Sequence, residues 1–161
     1  MIPRRSRFLK DCQWLLDCPF LMDFDQAPLN KLFVNLNQDF ITSLSTQVPD
    51  DIFFEKNTRL GFYFEKLIEH NIEATQELSI LAQNLPIRDE TRTLGEFDFI
   101  IGNNDENIHL EAAVKFYLSS QNSSEWSTWV GPTSNDRLDL KLSKLIDQQS
   151  QLSQLDVAKD T

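Results

Sequence analysis

The chain has 161 residues, of which 40% are hydrophobic and 12 are Phe, so it has the material for a folded domain with an apolar core and is not a disordered chain. Its 25 acidic residues outnumber its 15 lysines and arginines and give a net charge of −10. This balance excludes a protein that coats nucleic acid or anionic membrane with a generally basic surface. Any phosphate-bearing partner therefore needs a local basic patch.

The two cysteines and the N-terminus indicate the compartment. Cys12 and Cys18 lack CxxC spacing and have no His or Cys cluster nearby, which favours free, buried thiols in a reducing compartment. The N-terminal segment begins like a signal peptide, but Lys10, Asp11 and Asp17 interrupt its apolar run. We therefore expect neither a secretion signal nor a membrane span in this segment. We expect a cytoplasmic protein with no membrane partner; its oligomeric state is not indicated.

Apolar residues at helical spacing predict three helices in the first part of the chain. The first can be capped by Ser6 and ends before Pro19; the second runs from Pro28 towards Gln47; the third runs from about Thr58 to His70. Their apolar stripes are Phe8, Leu9, Cys12, Leu15 and Leu16; Leu29, Leu32, Phe33, Leu36, Phe40, Ile41 and Leu44; and Leu60, Tyr63, Phe64, Leu67 and Ile68.

Three strands are predicted next. Residues 77–87 favour a strand, although a helical pattern is only somewhat weaker there. Residues 94–118 then alternate between apolar and polar positions on both sides of a polar turn at 102–107, which is typical of a hairpin. If Ile101 lies opposite Ile108, then Asp98 lies opposite Glu111 on the polar face of the hairpin.

The rest of the chain supplies one loop and one helix. Residues 119–136 form a loop that carries Trp126 and Trp129, and a last amphipathic helix runs from Arg137 to about Gln149, capped by Asn135 or Asp136. The remaining tail is polar and too short for another full element. A sheet needs its apolar face covered by helices, so this order predicts a layered α/β or α+β domain.

Asp98, Glu111 and Lys115 are the leading candidate site. Directly opposed residues of an antiparallel pair hold their Cβ atoms about 4.5–5.5 Å apart. Two carboxylates at that spacing are suitable ligands for Mg²⁺, which can bind a phosphate oxygen and activate water. Lys115 is roughly 13 Å further along the strand, and its long side chain could orient that water. The alternative is a solvent-exposed sheet face with ordinary mixed charges, and spacing alone leaves both interpretations open.

Other polar residues have both a functional and a structural interpretation. Glu65 lies on the margin of the third helix's buried stripe, where it can reach over the sheet or can be an ordinary exposed helix charge. His109 can join a metal shell or serve structurally. Basic residues on the last helix form a stripe that can track a phosphate backbone or can be a solvated face: Arg137, Lys141 and Lys144. Trp126 and Trp129 can stack on bases or cover the core.

Several of these residues lie in segments that resemble a known family. Glu65 in RLGFYFEKLIE, Asp98 in GEFDFII and Glu111 with Lys115 in HLEAAVKFYL resemble the PD-(D/E)XK nuclease-like superfamily. The segments TRTLGEFDFII, LEAAVKFYL, WVGP and DRLDLKLSKLIDQQ resemble, more closely, the uncharacterised bacterial family called domain of unknown function 1853. The resemblance covers residues 58–152.

The resemblance implies a single domain with a restriction-endonuclease-like α/β core at about 51–152, preceded by a helical extension at about 1–50. The core consists of a helix, a three-stranded sheet with a central hairpin, a helix and a final strand. The resemblance also implies that Asp98 and Glu111 hold a divalent metal, that Lys115 helps to activate water, and that Glu65 assists from its helix as a further ligand or base.

The chain departs from the superfamily at two places. The usual lysine, two residues after the acid, is replaced by Ala113, so Lys115 is a displaced substitute. No final strand follows Gln149, which predicts that the chain is part of a longer protein. We expect either a Mg²⁺- or Mn²⁺-dependent nuclease acting on DNA or RNA, or a non-catalytic module of the same fold that binds nucleic acid or a protein. A purely structural interaction domain is a third possibility.

Overall fold

A computed structural model describes residues 4–17, 59–103, 106–120, 124–132 and 135–159. These ranges form a mixed α/β structure with a three-stranded antiparallel sheet in the order β1-β2-β3. The second predicted helix, residues 28–47, lies outside the described residues. The elements in chain order are α1 (Arg4–Asp17), α2 (Leu60–Glu73), β1 (Ser79–Arg88), β2 (Thr93–Gly102), β3 (Asn107–Leu110), a 3₁₀ turn (Trp126–Thr128), α3 (Leu138–Asp147), a 3₁₀ segment (Gln149–Gln154) and α4 (Asp156–Lys159).

Contacts divide the chain into two compact units, Met1–Ile80 with Gly102–Ile108, and Leu81–Ile101 with His109–Thr161. In the first unit, α1 and α2 pack through their apolar stripes, and the buried residues include Phe8, Cys12 and Leu67. The Tyr63 hydroxyl also donates to Asp11 Oδ2 at 2.6 Å. Both helices are therefore confirmed. Ser6 lies inside α1, so its predicted capping role is wrong.

The strands β1 and β2 follow the predicted pattern. Residues 79–88 form a strand and not a helix. In β2, Phe97, Phe99 and Ile101 are buried, while the residues between them are more exposed, as period-two alternation requires. At the turn, the Asn103 amide donates to the Glu106 carbonyl at 3.1 Å. This is the pairing that a register with Ile101 opposite Ile108 requires.

The third strand is much shorter than the sequence predicts. β3 ends at Leu110, and residues 111–117 belong to no strand. The physical reason is that the backbone groups after Leu110 form hydrogen bonds with partners other than the backbone of β2. The Ala112 amide donates to the Asp98 carboxylate, and Leu118 pairs with Val130 through two backbone hydrogen bonds of 2.9 and 3.1 Å. The predicted second arm is therefore wrong beyond Leu110.

The C-terminal part of the second unit contains more structure than the sequence predicts. α3 begins without a side-chain cap, because the Asp136 carboxylate instead binds Lys115 and Tyr117. The predicted cap at residue 135 or 136 is therefore wrong. After α3, the 3₁₀ segment places Leu152 in a cluster with Ile87 and Phe97, where it is 5% exposed. The tail predicted to be too short for another full element carries the end of this 3₁₀ segment and the four-residue helix α4.

None of the helices described is long and apolar enough to cross a membrane.

Candidate functional site

The second unit brings the two principal acids to neighbouring positions. Asp98 is on β2, and its Oδ2 accepts a hydrogen bond from the Ala112 amide at 2.7 Å. An amide nitrogen is roughly 2.4 Å from the preceding Cα by covalent geometry, so Asp98 Oδ2 lies within about 5 Å of the Glu111 Cα. The hydrogen bond takes the place of the ladder pairing that ends at Leu110. Asp98 thus holds the backbone segment that carries Glu111.

Glu111 is bound through both of its carboxylate oxygens. Oε1 lies 2.7 Å from His109 Nε2, and Oε2 accepts a hydrogen bond from Gln149 Nε2, also at 2.7 Å. The Glu111 and His109 side chains are only 7% and 9% exposed. Both oxygens of this nearly buried carboxylate therefore have a partner in the protein, as a buried polar group requires.

His109 is held in place by an aromatic neighbour as well. Its ring meets the ring of Phe97 edge to face, with centroids 4.4 Å apart. Sequence reasoning left His109 between a metal-shell residue and a structural residue. The structure shows it as the hydrogen-bond partner of Glu111.

Gln149 extends this network to a lysine. Its Oε1 accepts a hydrogen bond from Lys141 Nζ at 3.2 Å while its Nε2 donates to Glu111. Lys141, Gln149, Glu111 and His109 therefore form one hydrogen-bonded chain. Sequence reasoning missed Gln149, because nothing in the polar run of residues 147–151 distinguishes it from the other glutamines there.

Lys115 belongs to a different network. Its Nζ donates to Asp136 Oδ2 at 2.8 Å, and the Tyr117 hydroxyl donates to Asp136 Oδ1 at 3.0 Å. The hydrogen bond from Lys115, followed by that from Tyr117, lowers the pKa of the Asp136 carboxyl. Desolvation, followed by the hydrogen bond to Asp136, raises the pKa of Tyr117 to about 12. Sequence reasoning proposed Asp136 only as a helix cap.

The three predicted phosphate-tracking cations lie in different surroundings. Arg137 makes two hydrogen bonds to Asp139, and this contact raises the pKa of the guanidinium and lowers that of the carboxyl. Lys141 donates to Gln149, and Lys144 is exposed on α3. The stripe is thus partly engaged in contacts within the second unit. Of the two loop tryptophans, Trp126 is largely exposed.

Glu65, the fourth predicted acid, is half-buried on α2 in the first unit. Its neighbour Lys66 forms an ion pair with Glu69 at 2.5 Å.

The donor chemistry of Asp98 and Glu111 fits an open metal site. Mg²⁺ often takes only one or two carboxylates from a protein and completes its shell with water and phosphate oxygens. Two carboxylates on neighbouring backbone match that requirement. Within the described ranges, no group of three or more His, Cys, Asp or Glu residues could hold a metal. The described residues therefore offer Mg²⁺ these two carboxylates and no larger set of His, Cys, Asp or Glu ligands.

A depression elsewhere in the second unit is separate from these acids. It has a volume of about 460 Å³ and lies between the start of β2 and the end of α3, where Leu94, Asp147 and Leu152 are among its lining residues. Neither Asp98 nor Glu111 lines it. The candidate site is thus defined by its side-chain network and not by this depression.

Comparison with protein families gives one match. A family model described as Domain of unknown function (DUF1853) covers residues 10–161. The chain belongs to this family. No curated protein and no solved structure matches the chain. Membership of DUF1853 confirms the family that the segments around Asp98, Glu111 and α3 predict, while the placement in the PD-(D/E)XK superfamily stays a prediction.

Proposed function

We propose that this DUF1853 chain is a restriction-endonuclease-like domain that hydrolyses phosphodiester bonds in DNA or RNA with Mg²⁺ or Mn²⁺. The observation that supports the proposal best is the hydrogen bond from the Ala112 amide to Asp98. It holds the Asp98 carboxylate beside the backbone of Glu111, and these are the two residues that the superfamily resemblance assigns to the metal.

In this proposal Asp98 and Glu111 hold the ion. A bound Mg²⁺ would polarise a phosphate oxygen and lower the pKa of an attacking water. Neighbouring residues of the chain orient both carboxylates, since Ala112 holds Asp98 and His109 and Gln149 hold Glu111. These contacts limit side-chain rotation before an ion arrives, which reduces the cost of binding it.

The remaining predicted residues have proposed roles that the contacts constrain. Lys115 can orient the attacking water only after leaving Asp136, to which it is bound at 2.8 Å. Exposed Lys144 would contact the phosphate backbone directly. Arg137 and Lys141 would also contact it after their hydrogen bonds to Asp139 and Gln149 are replaced by contacts with phosphate. Glu65 is proposed as an accessory acid, and a Glu65→Gln variant tests this role.

A cleavage assay tests the proposal. Purified chain is incubated with single- and double-stranded DNA and RNA in about 5–10 mM Mg²⁺ or Mn²⁺, enough to saturate a weak open site, with EDTA as the metal-free control. We expect metal-dependent cleavage that Asp98→Asn and Glu111→Gln each reduce by about 100-fold or more, because each removes a charged ligand. Glu65→Gln is expected to cause a smaller loss.

Glu96→Gln is the matched control. Glu96 lies two residues before Asp98 on β2 and is exposed, so this variant removes the same charge from the same strand and should leave cleavage unchanged. Cleavage that persists undiminished in Asp98→Asn and Glu111→Gln, or that EDTA does not stop, contradicts the proposal.

A second candidate function is a non-catalytic module of the same fold that binds nucleic acid or a protein. Both oxygens of Glu111 and the ammonium group of Lys115 already have protein partners, which is what a site retained for structure would show. This candidate predicts that the chain binds a labelled oligonucleotide without cleaving it, and that Glu111→Gln does not change the affinity. The salt dependence of binding then identifies which cations contact phosphate. Replacing a lysine that contacts phosphate, such as Lys144, makes the slope of log K against log salt less steep by about 1.

A further inference from the structure

We infer that Gln149 is the positioning residue of Glu111 and that Lys141 fixes Gln149 in this role; the inference rests on the proposed function. Neither residue was assigned a role at the acids from the sequence. The inference is based on the continuous chain of hydrogen bonds from Lys141 through Gln149 to Glu111.

The chemistry of the two contacts determines how the Gln149 amide is oriented. An ammonium group has only donors and a carboxylate has only acceptors. The amide oxygen must therefore face Lys141, at 3.2 Å, and the amide nitrogen must face Glu111, at 2.7 Å. Flipping the amide would oppose two donors at one end and two acceptors at the other. Lys141 thus determines which end of Gln149 the acid meets.

The two hydrogen-bond partners of Glu111 come from different parts of the chain. His109 is on β3 and contacts Oε1, whereas Gln149 follows α3 and contacts Oε2. A carboxylate held at both oxygens has little freedom to rotate. Such outer contacts orient the metal ligands of other proteins, and removing them typically costs about 10- to 100-fold in metal affinity or activity.

Lys141 and Lys115 take part in different hydrogen-bond networks. Lys115 donates to Asp136, which accepts a second hydrogen bond from Tyr117. Lys141 is joined to Glu111 through a single residue, over a path of roughly 8 Å or less, given ordinary amide dimensions. Lys141 on α3 is thus linked to Glu111 through one side chain, whereas Lys115 is bound to Asp136.

Mn²⁺ titration of the full chain by calorimetry tests the inference. The variants are Gln149→Leu and Lys141→Met, with Gln151→Leu and Arg88→Met as controls. Gln151 is exposed and bonds to its neighbour Ser150, and Arg88 is an exposed cation at the end of β1. We expect Gln149→Leu to weaken Mn²⁺ binding about 10-fold and Lys141→Met to weaken it about 3-fold, while both controls bind as the wild type does.

Thermal unfolding, measured without metal, shows that each variant is folded at the titration temperature. If Gln149→Leu does not fold, Lys141→Met decides the outcome, because it keeps both Gln149 and Glu111. The inference is overturned if the wild type binds Mn²⁺ and either Gln149→Leu or Lys141→Met binds it with the same affinity. The proposed function is not affected by that result. Equal weakening in the controls also overturns it. A wild-type chain that binds no Mn²⁺ overturns the proposed function, and the inference falls with it.

Discussion

Replacing Gly95 by Ala is expected to destabilise the second unit, because the new methyl group would collide with Leu152. A Cβ at residue 95 would lie 2.6 Å from Leu152 Cδ1 and 2.9 Å from Cδ2. Carbon atoms pack best at about 3.5–4.0 Å, so the leucine would have to retreat by about 1 Å. Leu152 is buried against Ile87 and Phe97, which restricts where it can go.

The expected cost follows from this overlap. Adding a methyl group to a packed core costs about 1–3 kcal/mol, and the loss of glycine's freedom in the unfolded chain returns about 0.5 kcal/mol of that. We therefore expect a net loss of about 0.5–2.5 kcal/mol in the free energy of unfolding. For a chain of this size, about 1 kcal/mol shifts the melting temperature by roughly 2–4 °C, so the expected drop is roughly 1–10 °C.

Urea denaturation and thermal melting measure this change, with Gly61→Ala as the matched control. A Cβ at Gly61 on α2 meets nothing within 4 Å, so alanine there should stabilise the helix by up to about 1 kcal/mol. A double variant provides a second check. Gly95→Ala should add almost nothing to the cost of Leu152→Ala, because the colliding atoms are then gone. A Gly95→Ala chain as stable as the wild type would refute the packing of the 3₁₀ segment against β2.

Three further outcomes are expected. Burial raises the pKa of the Cys12 thiol to about 12. In a Cys18→Ser variant, Cys12 should therefore resist labelling by iodoacetamide at about pH 8 until urea unfolds the chain. Rapid labelling of the folded chain would contradict the burial of Cys12. Asn84 has a φ of 52° inside β1, so Asn84→Val should be about 1–2 kcal/mol less stable than Asn84→Gly in urea denaturation, whereas equal stability of the two would contradict the left-handed backbone. Because the hydrogen bond from Lys115 lowers the folded pKa of Asp136 from 3.8, its contribution to stability is fully present above 3.8 and is lost as the pH falls through the lower folded pKa. Asp136→Asn should therefore lose more stability at about pH 7 than at about pH 2, and an equal loss at both would refute the charged network.

The sequence predicted the regular part of the fold because local patterns determine it. The alternation of Phe97, Phe99 and Ile101 is visible in the sequence and matches their burial in β2. The stripe of α2 is likewise a local pattern, and Leu67 and Ile68 are buried as expected. The pairing at residues 103 and 106 follows from turn chemistry. These elements depend on residues that are close together in the chain.

The parts that the sequence did not predict depend on contacts between distant residues. β3 ends at Leu110 because Asp98 binds the Ala112 amide, and no local pattern indicates that contact. Leu152 is buried only because Gly95, far away in the chain, leaves space for it. Similarly, Gln149 is one glutamine in a polar run, and its role arises from its meeting with Glu111. Local periodicity carries no information about such pairs.

The candidate site was predicted in part. Sequence reasoning chose Asp98 and Glu111, and the structure places the Asp98 carboxylate on the backbone next to Glu111. The sequence also predicted Lys115 as a site residue, but the structure places its ammonium group against Asp136. The neighbours that hold Glu111 were found only in the structure, because hydrogen-bond partners of a buried acid cannot be deduced from spacing alone.

Whether Asp98 and Glu111 together hold a divalent cation is tested most directly by a Mn²⁺ titration followed by electron paramagnetic resonance. For the wild type and Glu96→Gln, we expect the free Mn²⁺ signal to fall with binding of about one ion per chain, as an open two-carboxylate site predicts. For Asp98→Asn and Glu111→Gln, the affinity should fall by about 10-fold or more, because each variant removes one of the two charged ligands. A wild-type chain that leaves the free Mn²⁺ signal unchanged, or an Asp98→Asn chain that binds Mn²⁺ as the wild type does, would contradict the metal site.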